Sequence, residues 1–476
     1  MKIKISSRQS ELARWQAYQV GEALQKVQPG LEVEYMFRES LGDINQQDPL
    51  WKMPEKGVFT KDFYEDLVNE KTDMIVHSWK DLPTEMTPET MIAATLKRAD
   101  QRDLLLFKKS SRGKKNVQIF TSSPRRMHNL KNFLDWSLPW TKDELKFENI
   151  RGNIPTRIRK WLADSNTDGL ILAKAALDRL LDGDRFAETK LFLQESIQAC
   201  DWMVLPLTLN PNAAAQGALA VEIKNTRKDI FDLVQKINCA DSFVAAEKER
   251  QILKSYGGGC HLALGMSCLT RPYGQIEIVQ GLTPAGGTVS IKKMTPNKKV
   301  PDSLVKQKLE FKASRTALPI PDVSSVDALY VTKADAWPTE LKFSGTVWSA
   351  GLETWKKLSS QGIWVNGSSE SLGEHEDERI QPFFKAPLNW GRLSHSSSKT
   401  DATKKTFATY QLEFELLSQN IKSQGAFIWT SPQEFDVALK RFPELKEAAH
   451  ICGPGRTYQA ICDRLGSSEN VYIELF

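Results

Sequence analysis

Several absences narrow the field first. No run of the chain approaches 18 consecutive apolar residues, which is what a helix needs to cross a bilayer, so no membrane span is expected. The first residues, Met1-Lys2-Ile3-Lys4-Ile5, alternate apolar and charged side chains as a half-buried strand does, and they contain no apolar core of signal-peptide length. Cysteine is sparse. Cys200, Cys239, Cys260, Cys268, Cys452 and Cys462 are scattered, without CxxC spacing or a neighbouring histidine array. That argues against a disulfide framework and a zinc site, and places the chain in a reducing cytoplasm with no metal expected. No glycine loop ending in Lys-Ser/Thr is present, so nucleotide hydrolysis has no support. The net charge of +5 is too mild to call for nucleic acid.

What remains is a globular composition, 41% hydrophobic and 26% charged, in 476 residues, enough for three or four domains. The first part alternates strands and helices. Ala13, Ala17, Val20, Leu24 and Val27 form a helical stripe over residues 10–28, which Pro29-Gly30 ends. Strand patterns follow at 31–35, 74–76, 117–120 and 169–173. Helices are expected after Ser123-Pro124, with Met127, Leu130 and Leu134 on one face, and after Asn153, with Ile154, Ile158 and Leu162. Repeated strand–helix units predict a mostly parallel sheet covered on both faces. Residues 275–282 and 288–293 read instead as antiparallel strands joined through 284–287. The lysine-rich stretch 292–308 reads as a boundary, and another alternating unit runs from about Val323. Its polar segment 394–405 reads as a flexible connection.

The densest cluster of chemistry is Val76-His77-Ser78-Trp79-Lys80-Asp81-Leu82-Pro83. It presents Ser, Lys and Asp where a buried strand runs out, the place where open α/β sheets bind ligands. A carboxylate beside an ammonium stays ionised, which suits it to stabilise a developing cation or relay a proton. The same Lys-Asp pair would also serve as an ordinary solvated turn. Arginines supply the second signal. Arg8 precedes the first helix, Arg125 and Arg126 follow Ser123-Pro124, and Arg151 and Arg157 bracket Asn153. Cations at a helix start oppose its dipole by about 0.3–1 kcal/mol each, unless an anion binds there. Together they predict a cleft for a substrate rich in carboxylate or phosphate. They are not interleaved with aromatic residues as a nucleic-acid groove requires. Cys260, after Gly257-Gly258-Gly259, reads either as a nucleophile or covalent attachment point on a pliant loop, or as a small residue in a tight turn.

In order along the chain, Arg8-Gln9-Ser10, Lys56-Gly57-Val58-Phe59, the octapeptide with Thr84, Arg102-Asp103 and Thr121-Ser122-Ser123-Pro124-Arg125-Arg126 resemble porphobilinogen deaminase. Arg151-Gly152-Asn153 with Thr156-Arg157, Ala215-Gln216-Gly217-Ala218 and Gly258-Gly259-Cys260 continue the match to about residue 310. The resemblance implies two periplasmic-binding-protein-like α/β domains, 1–95 (with a return segment at about 205–220) and 96–204. A small α+β domain, 221–310, would carry the cofactor cysteine. It implies a hydroxymethylbilane synthase of haem biosynthesis, a transferase that joins four porphobilinogen molecules head to tail with loss of ammonia. The cofactor implied is dipyrromethane, held covalently at Cys260. By resemblance Asp81 is the catalytic carboxylate, and Ser10, Ser78, Lys80, Ser123, Arg125 and Arg126 hold the cofactor. Arg8, Lys56, Arg151, Arg157 and Arg179 take the substrate's acid groups. A cytoplasmic monomer with a small-molecule substrate and no nucleic-acid or membrane partner is expected. The chain departs from the family at Met53-Pro54-Glu55, where two glycines usually precede the lysine, at Pro124, and at Ala214-Ala215-Gln216, which lacks the usual glycine before the glutamine.

The last stretch, 322–476, resembles uroporphyrinogen-III synthase in Phe427-Ile428-Trp429-Thr430-Ser431-Pro432 and in His450-Ile451-Cys452-Gly453-Pro454-Gly455-Arg456-Thr457. A Rossmann-like α/β domain is implied, with Thr430, Ser431 and Thr457 on substrate carboxylates. An accessory domain without activity is the other reading of this stretch. For the whole chain, the alternative is a catalytically inactive cytoplasmic two-lobed anion-binding protein, which leaves Asp81 and Cys260 without a role.

Overall fold

The computed structural model describes residues 1–39, 61–259, 262–374, 376–398, 403–421 and 425–475. The architecture is mixed α/β. It divides into two compact units, one built from 1–135, 141–270 and 277–292, the other from 136–140, 271–276 and 293–476.

The first unit holds two five-stranded sheets. One runs in the order Glu32–Arg38, Lys2–Arg8, Met74–Ser78, Leu219–Lys224, Thr90–Ala94. Its first three strands are parallel, and Leu219–Lys224 returns antiparallel between Met74–Ser78 and Thr90–Ala94. The helix Glu11–Val27 lies on it because Ala17, Val20 and Leu24 are wholly buried against Ile3, Ile5 and Val76. Val27, at the end of the same stripe, is 39% exposed: the helix outruns the sheet by a turn. The second sheet runs Glu144–Glu148, Asn116–Phe120, Gly169–Ala173, Asp103–Lys108, Cys200–Leu205, its last two strands antiparallel to their neighbours. Both sheets are therefore mixed rather than purely parallel. Asn153 caps the helix Ile154–Ala163 by accepting from Thr156 N at 2.9 Å. Trp161 is buried on that helix while Leu162 is 42% exposed, so the apolar face lies one residue earlier than its spacing predicts.

The strands Leu264–Arg271, Gly274–Leu282 and Thr288–Pro296 form a three-stranded sheet, the last two joined by a turn in which Thr283 N donates to Gly287 O at 2.8 Å.

The second unit contains a six-stranded and a four-stranded sheet. Ala328–Val331, Thr346–Ser349, Gly367–Ser368 and Trp390–His395 are parallel, and Phe311–Ala317 pairs antiparallel with the long strand Lys405–Leu416. The four-stranded sheet, Lys306–Gln307, Ala426–Trp429, Ala449–Cys452 and Val471–Ile473, is parallel throughout. Two strands thus join this unit ahead of residue 322. The polar segment 394–405 is strand at both ends, with Ser394 buried, and its residues 399–402 lie outside the described set.

His450 sits at the heart of that second core. Trp429 Nε1 donates to its Nδ1 at 3.0 Å, and Phe435 meets its ring edge to face, with centroids 5.1 Å apart. Burial pushes its pKa down to about 4 from 6.5. The unfolded chain therefore takes up a proton that the folded chain resists. Stability is intact above pH 6.5 and falls as pH drops towards 4, at about 1.4 kcal/mol per pH unit for this group. Thermal melts between pH 7 and 4.5 should show that loss, and it should shrink in His450→Gln.

Candidate active site

The strand Met74–Ser78 is buried from Met74 through His77 and gives way to a tight turn, Trp79–Asp81. Trp79 and Leu82 face inwards, packing with Ala215, Ala218 and Ala246, and Trp79 N donates to Ala218 O at 3.1 Å. Lys80 and the exposed Asp81 are left facing the other way, into a cavity of 480 Å³. Burial pushes the Lys80 pKa down, and the adjacent Asp81 opposes that shift. Ser78 is held by the buried Gln16, whose Nε2 donates to Ser78 Oγ at 2.9 Å.

Arg8, Ser10, Arg126, Arg151, Arg157 and Arg179 line the same cavity. The sequence scatters these residues over 170 positions; two sheets and three helix starts gather them. Ser10 also caps its helix, accepting from Ala13 N at 3.4 Å. Desolvation lowers the Arg157 pKa to about 10, helped by Arg126 and Arg151 and opposed by Asp81. Arg179 is likewise lowered to about 10 by burial, and its Nη2 donates to Gly217 O at 2.7 Å. Gly217 has φ +86°, and a Cβ there would lie 2.8 Å from Ala99 O, so this wall of the cavity admits only glycine. Clustered guanidiniums that depress one another make a strongly positive concavity, suited to a ligand with several carboxylates.

Arg125 and Arg126 are adjacent in sequence and unequal in structure. Both donate to Asp103, from Arg125 Nη2 at 2.8 Å and from Arg126 Nη2 at 2.7 Å. Arg125 spends Nη1 on Asn210 Oδ1 and Pro211 O and does not line the cavity. Arg126 lines it, and its buried Nε has no acceptor among the described residues. Contrary to the expectation of a ligand anion at this helix start, the anion that compensates the pair is in large part the protein's own Asp103. Ser123, at the start of their helix, does not line the cavity either. Lys56 and Cys260 lie outside the described residues. The segment before Cys260 is described to Gly259, and a side chain at Gly258 would meet Thr84 Oγ1 at 2.9 Å, just beyond the Lys80-Asp81 turn.

In the second unit, Thr430 and Ser431 begin the helix Pro432–Arg441, and Thr457 lies in the first turn of Arg456–Leu465. Glu434 already fills the first of these helix starts. It accepts from Thr430 N at 2.9 Å and from Thr430 Oγ1 at 2.7 Å, while Ser431 Oγ accepts from Glu434 N at 3.2 Å, a reciprocal capping box.

Several residues that matter to the site carried no sequence signal strong enough to single them out. Asp103 lies within a quoted motif but its role emerges only from its four partners: Arg125, Arg126, Asn210 Nδ2 at 2.8 Å and Gln216 Nε2 at 2.9 Å. Glu249, wholly buried, takes Arg98 bidentately at 2.8 and 2.6 Å, together with Asn212 Nδ2, Ala215 N and Cys268 N. A glutamate in a helix of mixed polarity looks solvent-facing until the fold buries it.

A cavity lined by Asp81 and several guanidiniums suits a ligand with several acid groups, and comparison with known proteins narrows the class. The profile described as "Porphobilinogen deaminase, dipyromethane cofactor binding domain" matches residues 3–232. Porphobilinogen deaminase of Syntrophomonas wolfei is 38% identical over 263 residues, 55% of this chain and 78% of that one. That of Desulfitobacterium hafniense is 33% identical over 67% of this chain and 96% of its own length, and that of Clostridium novyi 34% identical over 56% and 84%. The chain belongs to the porphobilinogen deaminase family, transferases of tetrapyrrole biosynthesis whose cofactor is a dipyrromethane. The lining suits that group, because Arg126 presents a buried donor with no acceptor to a cavity walled by guanidiniums.

Proposed function

We propose that the first unit is a hydroxymethylbilane synthase, condensing four porphobilinogen molecules head to tail with release of one ammonia at each addition. The observation that carries this reading is the sharing of one 480 Å³ cavity by Asp81, Lys80 and the guanidiniums of Arg126, Arg151, Arg157 and Arg179. The proposed domains are 1–95 with the return at about 205–220, 96–204, and 221–310 bearing the tether, of which residues 271–276 and 293–310 pack with the second unit. Cys260 is the tether, a reading supported by the passage of Gly258 beside Thr84. The bound dipyrromethane supplies an electron-rich pyrrole as the acceptor on which the product is built. Ser10, Ser78, Lys80 and Arg126 hold its acid groups, and Arg8, Arg151, Arg157 and Arg179 take those of the incoming substrate. Lys56 is assigned to the substrate's acid groups as well, and Ser123 and Arg125 to the cofactor, Arg125 through the Asp103 that it shares with Arg126.

Asp81 faces the positive charge that develops on the substrate pyrrole as the aminomethyl C–N bond breaks and ammonia leaves. Its carboxylate stabilises that charge, and one oxygen takes the pyrrole α-proton released once the new C–C bond has formed. Lys80, beside Asp81 in the same turn, contributes its positive charge to acid-group binding. The chain is taken to work as a cytoplasmic monomer. No helix among the described residues is long and apolar enough to cross a membrane.

For the second unit the proposal is cyclisation to uroporphyrinogen III, with Thr430, Ser431 and Thr457 at two helix starts that follow parallel strands. A substrate carboxylate reaching Thr430 must displace Glu434. The deciding experiment feeds porphobilinogen to purified holoprotein free of host synthase and separates the oxidised porphyrins into isomers. Type III as the main product is expected. Type I alone would confine activity to the first unit, and no porphyrin at all would overturn the deaminase reading and leave an anion-binding protein.

A further inference from the structure

The turn that carries Lys80 and Asp81 is short, and short turns of this kind hold their shape poorly without support. Its support comes from a helix 170 positions away in sequence. Arg250, in the helix Ala240–Ser255, is 8% exposed. Its Nη1 donates to Trp79 O and Leu82 O, each at 3.2 Å, and its Nη2 donates to Pro83 O. One planar guanidinium therefore holds the backbone on both sides of Asp81. Trp79 is also held by its N–H on Ala218 O and by its ring, 5.1 Å from that of Phe243, and Leu82 packs in the same cluster.

We propose that Arg250 is a positioning residue for the reaction: by gripping three carbonyls around the turn from below, it fixes the direction in which the Asp81 carboxylate enters the cavity. A guanidinium suits this task because its donors lie in one rigid plane and can serve several acceptors at once. An ammonium is a compact point charge on a flexible stem and cannot reproduce that fork. The neighbouring Glu249 grips Ala215 N, in the segment that forms another wall of the cavity, so one turn of this helix holds two parts of the site. The inference rests on the reading of Asp81 as the catalytic carboxylate.

The test uses holoprotein of Arg250→Lys, with Arg250→Gln in reserve if the first does not fold, alongside Asp81→Asn and Arg227→Lys. Arg227 pairs with Asp73 and Asp229 away from the cavity and controls for a general loss of stability. For each variant, kcat, KM, the melting temperature and the intact mass, which reports cofactor occupancy, are measured. Arg250→Lys should lose about 10- to 100-fold in kcat, the scale of an ångström's misplacement of a reacting group. Its KM should stay within threefold and its cofactor occupancy should be unchanged. Hydrogen exchange at the Lys80 and Asp81 amides should quicken. A kcat within twofold of wild type would overturn the proposal, as would a kcat loss matched by Arg227→Lys at an equal drop in melting temperature. Wild-type kcat in Asp81→Asn would instead overturn the reading beneath it.

Discussion

Replacing Asp81 by Asn is expected to lower kcat by roughly 10²–10⁴-fold, the range for loss of a positioned general acid or base, while leaving the fold intact. The asymmetry follows from where the side chain sits. Asp81 is exposed to the cavity at the end of a turn whose buried members are Trp79 and Leu82, so its carboxylate contributes little to packing. The amide has nearly the same shape and keeps a hydrogen-bonding oxygen, but it carries no charge to set against a developing cation and takes no proton. KM should change only a few-fold, because Arg126, Arg151, Arg157 and Arg179, the proposed holders of the acid groups, still line the cavity. Asp81→Glu restores the charge and displaces it by one methylene, so it should recover part of the rate. Ammonia release in the steady state measures both. A kcat within tenfold of wild type for the Asn variant would remove Asp81 from the chemistry.

Asp103→Asn should have the opposite signature: a large loss of stability, with activity falling only as the cleft loosens. Asp103 is 1% exposed and its two oxygens serve four donors, two of them buried guanidiniums. Burial pushes its pKa up, but Arg125 and Arg126 together outweigh that and hold it well below the ordinary carboxylate range. Removing one partner from a buried charged group leaves the others uncompensated, at a cost of about 3–5 kcal/mol. The double variant Asp103→Asn with Arg125→Met should recover part of that loss, because it removes one orphaned charge as well. The sign with pH is fixed by the same network. A carboxylate whose folded pKa is depressed contributes its stabilisation in full above the unfolded value near 3.9, and loses it as pH falls below that towards the folded value. Thermal melts of wild type and variant should therefore differ most at neutral pH and converge in acid. An unchanged melting temperature at pH 7 would mean that the network holds without its centre.

The contrast between these two aspartates marks the boundary between sequence and structure. Asp81 was legible because strand, polar cluster and proline succeed one another along the chain, and because a strand end is where α/β sheets expose chemistry. The helices after Ser10 and Asn153 were legible for the same reason: caps and apolar spacing are local. The family was legible too, since its motifs are short and ordered. Asp103 and Arg250 were not. Nothing near Asp103 in sequence says that Arg125, Asn210 and Gln216 will converge on it, and nothing near Arg250 points to the carbonyls around position 80.

Tertiary structure also sorted residues that looked alike. Arg125 and Arg126 share a helix start and a charge, yet rotation of about 100° per residue turns one into the protein and the other towards the cavity. Thr430 and Ser431 read as an open anion site, and Glu434, one turn on, already occupies it. By itself the sequence determined most of the first helices and strands, the α/β class, the family and the catalytic candidates, because each rests on patterns of a few residues. Which charges face each other, which are spent on the protein and which remain for a ligand was decided only by the fold, because a buried charge takes its meaning from partners that sequence separation hides.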